Sequence, residues 1–338
     1  MKLDGFLDAA ERIVERHRLG PGQYARWLWH RDGREMGVNP YGCADAANIL
    51  YTLGRFPADE GERRAFAETM RGMQDEKTGL FTEATHHPIH TTAHVTAALE
   101  LFEARPAHRL AAYDPYRSRE GLYALLDGLD WQKNPWNMSH RGAGLYAAMK
   151  LAGESTEEWE SAYFDWLWSE ADPVTGLWRR GFADAAPVSP VPIDGIAPQS
   201  WHLAGTFHYL FNCEYAKMPL RYPDRLVDTC LNLYRHGAVL PTFGRMVGFM
   251  EIDWVFCLSR ALRQSGRRFA EAKEALDEFA RSYTGYLLSL DPETDEGLND
   301  LHMLFGALCA LAELQAALPG RLTARTPLKL VLDRRPFI

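Results

Sequence analysis

The sequence lacks the features of membrane-spanning, nucleic-acid-binding and disulfide-linked proteins. Its 338 residues contain no apolar run near the roughly 20 residues that cross a bilayer. The formal net charge of −8 argues against a nucleic-acid or anionic-membrane partner, because such proteins carry basic patches. The five cysteines are odd in number, far apart and without a CxxC pair, which is typical of a reducing compartment. The charged start MKLDGFLDAAERIVERH has no apolar signal core, so we expect a cytoplasmic protein.

Strand patterns are also scarce. Only VLPTF (239–243) and KLVLD (329–333) are candidates for strands, both of them short, and helical periodicity dominates the rest. The helical pattern recurs about every 50 residues, which is the range of helical repeats. Each repeat contains a charged first helix, a loop rich in glycine and aromatic residues, and a second helix of small and apolar residues.

The second helices align without gaps, and each has a large apolar residue five positions after its first residue. They are DAANILYTL (45–53), HVTAALELF (94–102), HRGAGLYAA (140–148), HLAGTFHYL (202–210), DWVFCLSRA (253–261) and DLHMLFGAL (300–308). Six hairpins cannot bury their apolar faces alone and must stack on one another. The pattern predicts an all-α fold, an (α/α)6 toroid in which six helical hairpins form a closed double ring of inner and outer helices. An open superhelix is the main alternative. We expect one domain over 1–320 and a C-terminal extension, 321–338, that packs on it.

Two repeats resemble known families. The second, FAETMRGMQDEKTGLFTEATHHPIHTTAHVTAALELF (66–102), resembles the repeat of squalene cyclases and protein prenyltransferases. The fourth, DWLWSEADPVTGLW (165–178), is similar to the turn of unsaturated glucuronyl hydrolases. Both families are built on α/α toroids, so the resemblance implies this fold. The chain departs from the cyclase chemistry, because it contains neither a DxDD nor a DDxxD motif. Asp228 and Cys230 resemble the Asp-x-Cys zinc motif of protein prenyltransferases, but the repeat pattern places them on an outer helix, away from the cavity.

The first position of every aligned helix is titratable. Because burying such groups without partners is costly, a common register suggests the mouth of a functional cavity. The alternative is that the aspartates cap helices and the histidines bond to loops. In a ring, the three aspartates would form an acidic wall opposite an imidazole wall, which suits acid–base chemistry. The predicted catalytic residues are Asp45, His94, His140, His202, Asp253 and Asp300.

Aromatic and titratable residues near these positions are the predicted substrate-binding set. Aromatic faces suit sugar rings or a hydrocarbon chain, although many aromatic residues of a repeat only pack its hairpin. The set comprises Trp29, Tyr41, His90, Trp136, Trp201, Glu251, Trp254 and His302.

The sequence gives little support for a cofactor. His90 and His94 have the i,i+4 spacing of metal ligands, but the residues between them lack the glutamate of an HExxH motif. We therefore expect no cofactor and no bound metal, with this histidine cluster as the alternative site for one.

The composition of the mouth favours a carbohydrate-active enzyme: a glycoside hydrolase, lyase or epimerase that acts on a small molecule or an oligosaccharide. A terpene-cyclase-like or prenyltransferase-like enzyme and a non-catalytic binding toroid are the alternatives, and the oligomeric state stays open. Asp253 lies in the apolar stretch GFMEIDWVF (248–256). Burial there should raise the pKa of its carboxyl group, as a general acid requires.

Overall fold

The structure is a computed structural model that describes all 338 residues and is all-α. One short hairpin, made of β1 (Arg18–Gly20) and β2 (Gln23–Tyr24), is the only sheet. Neither candidate strand forms, and Val331–Asp333 is a 3-10 turn. No helix combines the length and the apolar character needed to cross a bilayer. The α-helices are α1 (Asp4–Arg16), α2 (Pro40–Thr52), α3 (Glu60–Arg71), α4 (Pro88–Glu100), α5 (Arg119–Asp127), α6 (Pro135–Ala152), α7 (Glu157–Glu170), α8 (Gln199–Ala216), α9 (Pro223–Arg235), α10 (Met250–Ser265), α11 (Phe269–Ser289) and α12 (Leu301–Ala317).

The even-numbered helices, which we call the central helices, are almost entirely buried, whereas the odd-numbered helices keep an exposed polar face. Each central helix packs on the next, in the order α2, α4, α6, α8, α10 and α12, and α12 packs on α2. The contacts of the central helices therefore form a closed cycle. The odd-numbered helices pack against this cycle and against each other, as α3 does on α2 and α4. This alternation buries the apolar stripe of each helix on its neighbours.

A tight turn with the sequence Asp-x-x-Thr-Gly lies at residues 75–79, before α4. The same sequence recurs at residues 172–176, before α8. The Asp75 carboxylate accepts a hydrogen bond from the Thr78 N–H at 2.7 Å. Gly79 follows with a φ of +74°, which residues with side chains rarely adopt. A Cβ atom at Gly79 would also lie 2.0 Å from the carbonyl oxygen of Arg109. The shared Asp-x-x-Thr-Gly sequence is thus explained by the geometry of this turn.

Residues that precede α2 and α12 join the last central helix to the first. The Leu301 N–H donates to the Arg26 carbonyl oxygen at 3.1 Å. The Arg26 guanidinium forms a two-point ion pair with Asp300, at 2.8 and 2.9 Å. Asp300 is also the N-cap of α12, where it accepts a hydrogen bond from the His302 N–H at 3.0 Å. One carboxylate therefore starts α12 and ties it to the chain before α2.

The last residues of the chain, Val331–Ile338, which we call the C-terminal segment, lie among the central helices. Asp333 forms an ion pair with Arg260 of α10 at 2.7 Å. Phe337 is buried, and its ring centroid lies 5.0 Å from that of His90 on α4. Phe337 and Ile338, at the end of the predicted C-terminal extension, are therefore both buried.

Candidate active site

A cavity of about 260 Å³ lies between the central helices, near the end where α4, α6, α10 and α12 begin. Imidazole rings form one part of its lining and apolar or aromatic side chains form another, while no aspartate or glutamate side chain lines it. The histidines are His86, His90, His140, His208 and His302. The apolar and aromatic side chains include Trp136, Leu240, Met246, Phe249 and Met303.

A buried aspartate on α2 organises the wall behind His302. The Asp45 carboxylate lies 2.8 Å from His94 Nε2 and 3.1 Å from His302 Nδ1. Asp45 and His94 are fully buried, and His302 is 3% exposed at the cavity. A carboxylate only accepts hydrogen bonds, so each of these ring nitrogens carries a proton and donates it. His302 Nε2 makes no hydrogen bond within the protein, and it is the ring nitrogen left for a molecule in the cavity.

The protonation of His94 is also determined by Arg335 of the C-terminal segment. Arg335 is fully buried, and its guanidinium lies 3.3 Å from His94 Nδ1. A guanidinium only donates hydrogen bonds, so Nδ1 is the acceptor and the single ring proton of neutral His94 is on Nε2. The order of donation is therefore Arg335 to His94 to Asp45, with His302 as the second donor to Asp45.

The pKa values agree with neutral imidazoles beside a charged carboxylate. Burial acts to raise the pKa of Asp45, but the contacts with His94 and His302 outweigh it and hold this pKa below its ordinary value. Burial lowers the pKa of His302 to about 3, against the opposing effect of Asp45. Burial also lowers the pKa of His94, opposed by Asp45 and assisted by Arg335. At neutral pH His302 is therefore an uncharged proton acceptor.

The same three side chains are the only set that brings metal-ligating atoms together, within 4.8 Å of one another. A metal ion bound to His94 Nε2 would take the place of the proton that this nitrogen donates to Asp45. The ring proton would then move to Nδ1, where it would face the donor groups of Arg335. Asp45, His94 and His302 therefore fit a hydrogen-bonded network better than a set of metal ligands.

Further imidazoles continue along the cavity from His302. Tyr41 stacks on His94 with ring centroids 4.8 Å apart, and its hydroxyl forms a hydrogen bond with His90 Nδ1. The centroid of His140 lies 4.3 Å from those of His90 and His208. Burial lowers the pKa of each of these three histidines, and the pKa of His208 falls to about 3. Neutral imidazoles on α12, α4, α6 and α8 thus form a continuous wall.

Asp253 and Glu251, two acidic residues predicted for the site, lie outside the cavity lining. Both carboxylate oxygens of Asp253 are buried without a hydrogen-bond partner. Burial, followed by the nearby Glu251, raises the pKa of Asp253 well above its ordinary value, as the sequence predicts. Burial raises the pKa of Glu251 to about 7, although it accepts a hydrogen bond from the Gly244 N–H at 2.9 Å. The proposed catalytic role of Asp253 therefore loses its geometric support.

Other predicted residues make structural contacts. His202 Nδ1 lies 3.2 Å from the carbonyl oxygen of Trp178, away from the cavity lining. Trp254 is buried against Tyr234 of α9, with ring centroids 4.8 Å apart. The placement of these two residues at the mouth is therefore wrong.

The remaining tryptophans and Asp300 have different surroundings. Trp136 lines the cavity, whereas Trp201 and Trp29 do not. The Trp29 indole N–H donates to Glu296 at 3.0 Å on the exposed side of the protein. Asp300 pairs with Arg26, which also lies 3.5 Å from Glu83.

The predicted acidic wall opposite an imidazole wall is wrong, because Asp45 bonds directly to histidines on the two neighbouring helices. The physical reason is the different starting point of each helix. Asp45 is the sixth residue of α2, whereas Asp300 precedes the first residue of α12. The aligned positions therefore lie at different depths, and His302, rather than Asp300, meets Asp45.

Sequence reasoning misses three residues of the site. His86 belongs to neither predicted residue set, but it lines the cavity. His208 lies within one of the aligned helices, and a polar residue in that apolar segment is a usable signal. Arg335 carries no such signal, because only the path of the C-terminal segment brings it to His94.

Comparisons with protein-family models, with curated proteins and with solved structures give no match for this chain. The assignment of a function therefore depends on the cavity and the side chains around it.

Proposed function

We propose that the chain adopts the (α/α)6 toroid expected from its repeats, with the central helices as inner ring and the odd-numbered helices as outer ring. Two observations support this. The contacts of the central helices return from α12 to α2, and burial is nearly complete along each of these helices. An open superhelix would leave the first and last central helices apart.

We further infer that the protein is an enzyme that moves protons to and from carbon in a small carbohydrate. The observation that carries this proposal is the Asp45–His302 pair. Asp45 accepts the Nδ1 proton of His302, which leaves Nε2 as a free acceptor at the cavity. A buried carboxylate orients such a histidine and stabilises the imidazolium that forms when Nε2 takes a proton, which is how a histidine acts as a general base.

In the proposed reaction, His302 Nε2 takes a proton from a carbon next to a carbonyl or carboxylate group, and the C–H electron pair moves onto that group. Return of a proton to carbon gives an epimer or isomer, whereas loss of a leaving group from the next carbon gives an unsaturated product. The ring centroid of His90 lies 6.3 Å from that of His302. His90 is therefore placed to donate a hydrogen bond to the substrate oxygen that gains charge.

The lining of the cavity favours this chemistry over the other carbohydrate reactions that the sequence suggests. A glycoside hydrolase ordinarily places two carboxyl groups about 5–10 Å apart around the substrate. The cavity lining contains no aspartate or glutamate. Its five imidazoles also suit a polar substrate better than the hydrocarbon chain of a terpene or prenyl group.

The size of the cavity suggests a single sugar unit rather than an oligosaccharide. Its volume of about 260 Å³ is below the roughly 300–1,000 Å³ of pockets that hold drug-sized ligands. Trp136 and Phe249 offer apolar faces for the C–H groups of a sugar ring, while the imidazoles can bond to its hydroxyl groups.

Deuterium exchange tests this function across several substrate classes at once. The protein is incubated in D2O with separate aldoses, ketoses, N-acetylhexosamines and uronic acids, and proton NMR follows each carbon-bound hydrogen. We expect the wild-type protein to exchange, or eliminate at, the carbon next to the carbonyl or carboxylate group in one of these classes. His302→Gln should slow this reaction by about 100-fold or more, the usual contribution of a general base.

His236→Gln is the matched control, because His236 is exposed at the end of α9 and bonds only to its own helix. It should react at the wild-type rate. Absence of exchange in every class, or wild-type exchange by a folded His302→Gln protein, contradicts the proposed function.

A further inference from the structure

The C-terminal segment carries a fully buried arginine whose charge has no direct partner. The Arg335 guanidinium donates to the Asn48 side-chain oxygen, to the Phe337 carbonyl oxygen and to His94 Nδ1. None of these groups is charged, although a buried cation ordinarily requires an anion nearby. Asp45 is the anion on the other side of the His94 ring, which donates to it at 2.8 Å. The positive and negative charges therefore balance across one imidazole.

The groups that face His94 come from four parts of the chain. They are Asp45 and Tyr41 from α2, His302 from α12, Arg335 from the C-terminal segment and His90 from its own helix, while His86 lies on the far side of the Tyr41 ring. Burial lowers the pKa of Arg335 to about 10, so this residue stays charged at neutral pH. Arg335 is the only cation in contact with His94.

We propose that Arg335 is a positioning residue of the active site. By donating to His94 Nδ1, it keeps His94 neutral, so that no imidazolium neutralises Asp45 and the negative charge of Asp45 acts on His302. Without the guanidinium, Nδ1 is open to a second proton. An imidazolium at His94 would then pair with Asp45 and weaken its hold on the Nδ1 proton of His302. The catalytic meaning of this inference rests on the proposed function, but the proton arrangement does not.

The path of the C-terminal segment supports a role in the site beyond this one contact. Ile338 lines the cavity, and Phe337 packs on His90 and on His208, with centroids 5.0 and 6.0 Å apart. The Asn212 side chain of α8 donates to the Pro336 carbonyl oxygen at 2.6 Å. These contacts fix the position of Arg335, because the residues that follow it, Pro336 and Phe337, contact α8 and α4.

The test uses the ring-nitrogen NMR signals of the full-length protein after ¹⁵N-histidine labelling, with His94 assigned through His94→Gln. In the wild type we expect a proton-free Nδ1 and a protonated Nε2 in His94, unchanged between about pH 8 and about pH 5. Arg335→Met keeps the length of the side chain and removes its donors. In this variant His94 should take up a second proton at a higher pH than in the wild type.

Arg334→Met is the matched control, because the neighbouring Arg334 pairs with Glu100 near the surface, at 3.2 Å, and does not touch His94. It should leave His94 as in the wild type, and Arg335→Lys should restore part of the wild-type behaviour. A proton on His94 Nδ1 in the wild type overturns the proposal, whether or not Arg335→Met folds. An unchanged His94 titration in folded Arg335→Met overturns it as well. Since no outcome depends on turnover, failure of the proposed function is distinguished from failure of this inference.

Discussion

Two buried aspartates on the central helices behave in opposite ways because their neighbours differ. Asp45 accepts hydrogen bonds from two imidazoles, and their effect exceeds that of burial, so its pKa lies below the ordinary value. Asp253 has no hydrogen-bond partner, so burial and then Glu251 raise its pKa. Asp45 can therefore orient a base at neutral pH, whereas Asp253 is held in its neutral form at a cost to stability.

Asp253→Asn should stabilise the protein, and the gain should grow with pH. The folded pKa of Asp253 lies above its unfolded value near 3.8, so the folded state retains a proton that the unfolded state releases. The free energy of unfolding therefore falls as pH rises from the unfolded to the folded pKa of Asp253, by about 1.4 kcal/mol for each pH unit. Asparagine does not ionise and escapes this loss. Urea unfolding between about pH 4 and about pH 7 should give similar stabilities at the acid end and a more stable variant at the neutral end.

Asp184→Asn, in an exposed loop, is the control and should show no such trend. A difference between Asp253→Asn and wild type that stays constant with pH contradicts this explanation.

At the scale of single residues, the sequence identifies part of the site. Asp45, His94 and His302 are recognisable because titratable side chains interrupt apolar helices. The roles of these residues are not recognisable, because they depend on which side chains meet across helices. Arg335 could not be found at all, since no local pattern distinguishes it from the exposed Arg334 beside it.

At the scale of elements, the helix pattern predicts the helices well and their relative depth poorly. Periodicity and N-terminal caps are local properties, and Asp59, Asn39 and Ser118 cap helices as such residues usually do. Depth depends on the length of the preceding loop and on packing. For this reason a gap-free alignment brings Asp300 and Asp253 into one register with Asp45, although the helices begin at different points.

Asp300 combines two element-scale functions, and substitutions can separate them. Asp300→Ala removes both the N-cap of α12 and the buried ion pair with Arg26, so we expect a loss of about 3–5 kcal/mol. Asp300→Asn keeps a capping oxygen and should cost about 1 kcal/mol less. Asp59→Ala is the control, because Asp59 caps α3 at an exposed position and should cost only about 1 kcal/mol. Urea unfolding of the three variants measures these differences, and equal losses for Asp300→Ala and Asp59→Ala contradict this assignment of roles.

At the scale of the whole molecule, the repeat predicts that the helices pack in order, and the contacts of the central helices follow that order. The repeat contains no information on the residues that follow it. The C-terminal segment is found among the central helices because Asp333, Pro336 and Phe337 each make specific contacts there. A cavity that is enclosed by distant parts of the chain is therefore a property of the fold and not of any one repeat.

The proposed general base is tested most directly by the protonation of the two ring nitrogens of His302 in the folded wild-type protein. Selective ¹⁵N labelling, with assignment through His302→Gln, distinguishes a protonated ring nitrogen from a proton-free one. We expect a proton on Nδ1, bonded to Asp45, and a proton-free Nε2 from about pH 8 to about pH 5, because the pKa of His302 is lowered to about 3. A protonated Nε2 at neutral pH, or a proton-free Nδ1, would show that no general base faces the cavity at this position.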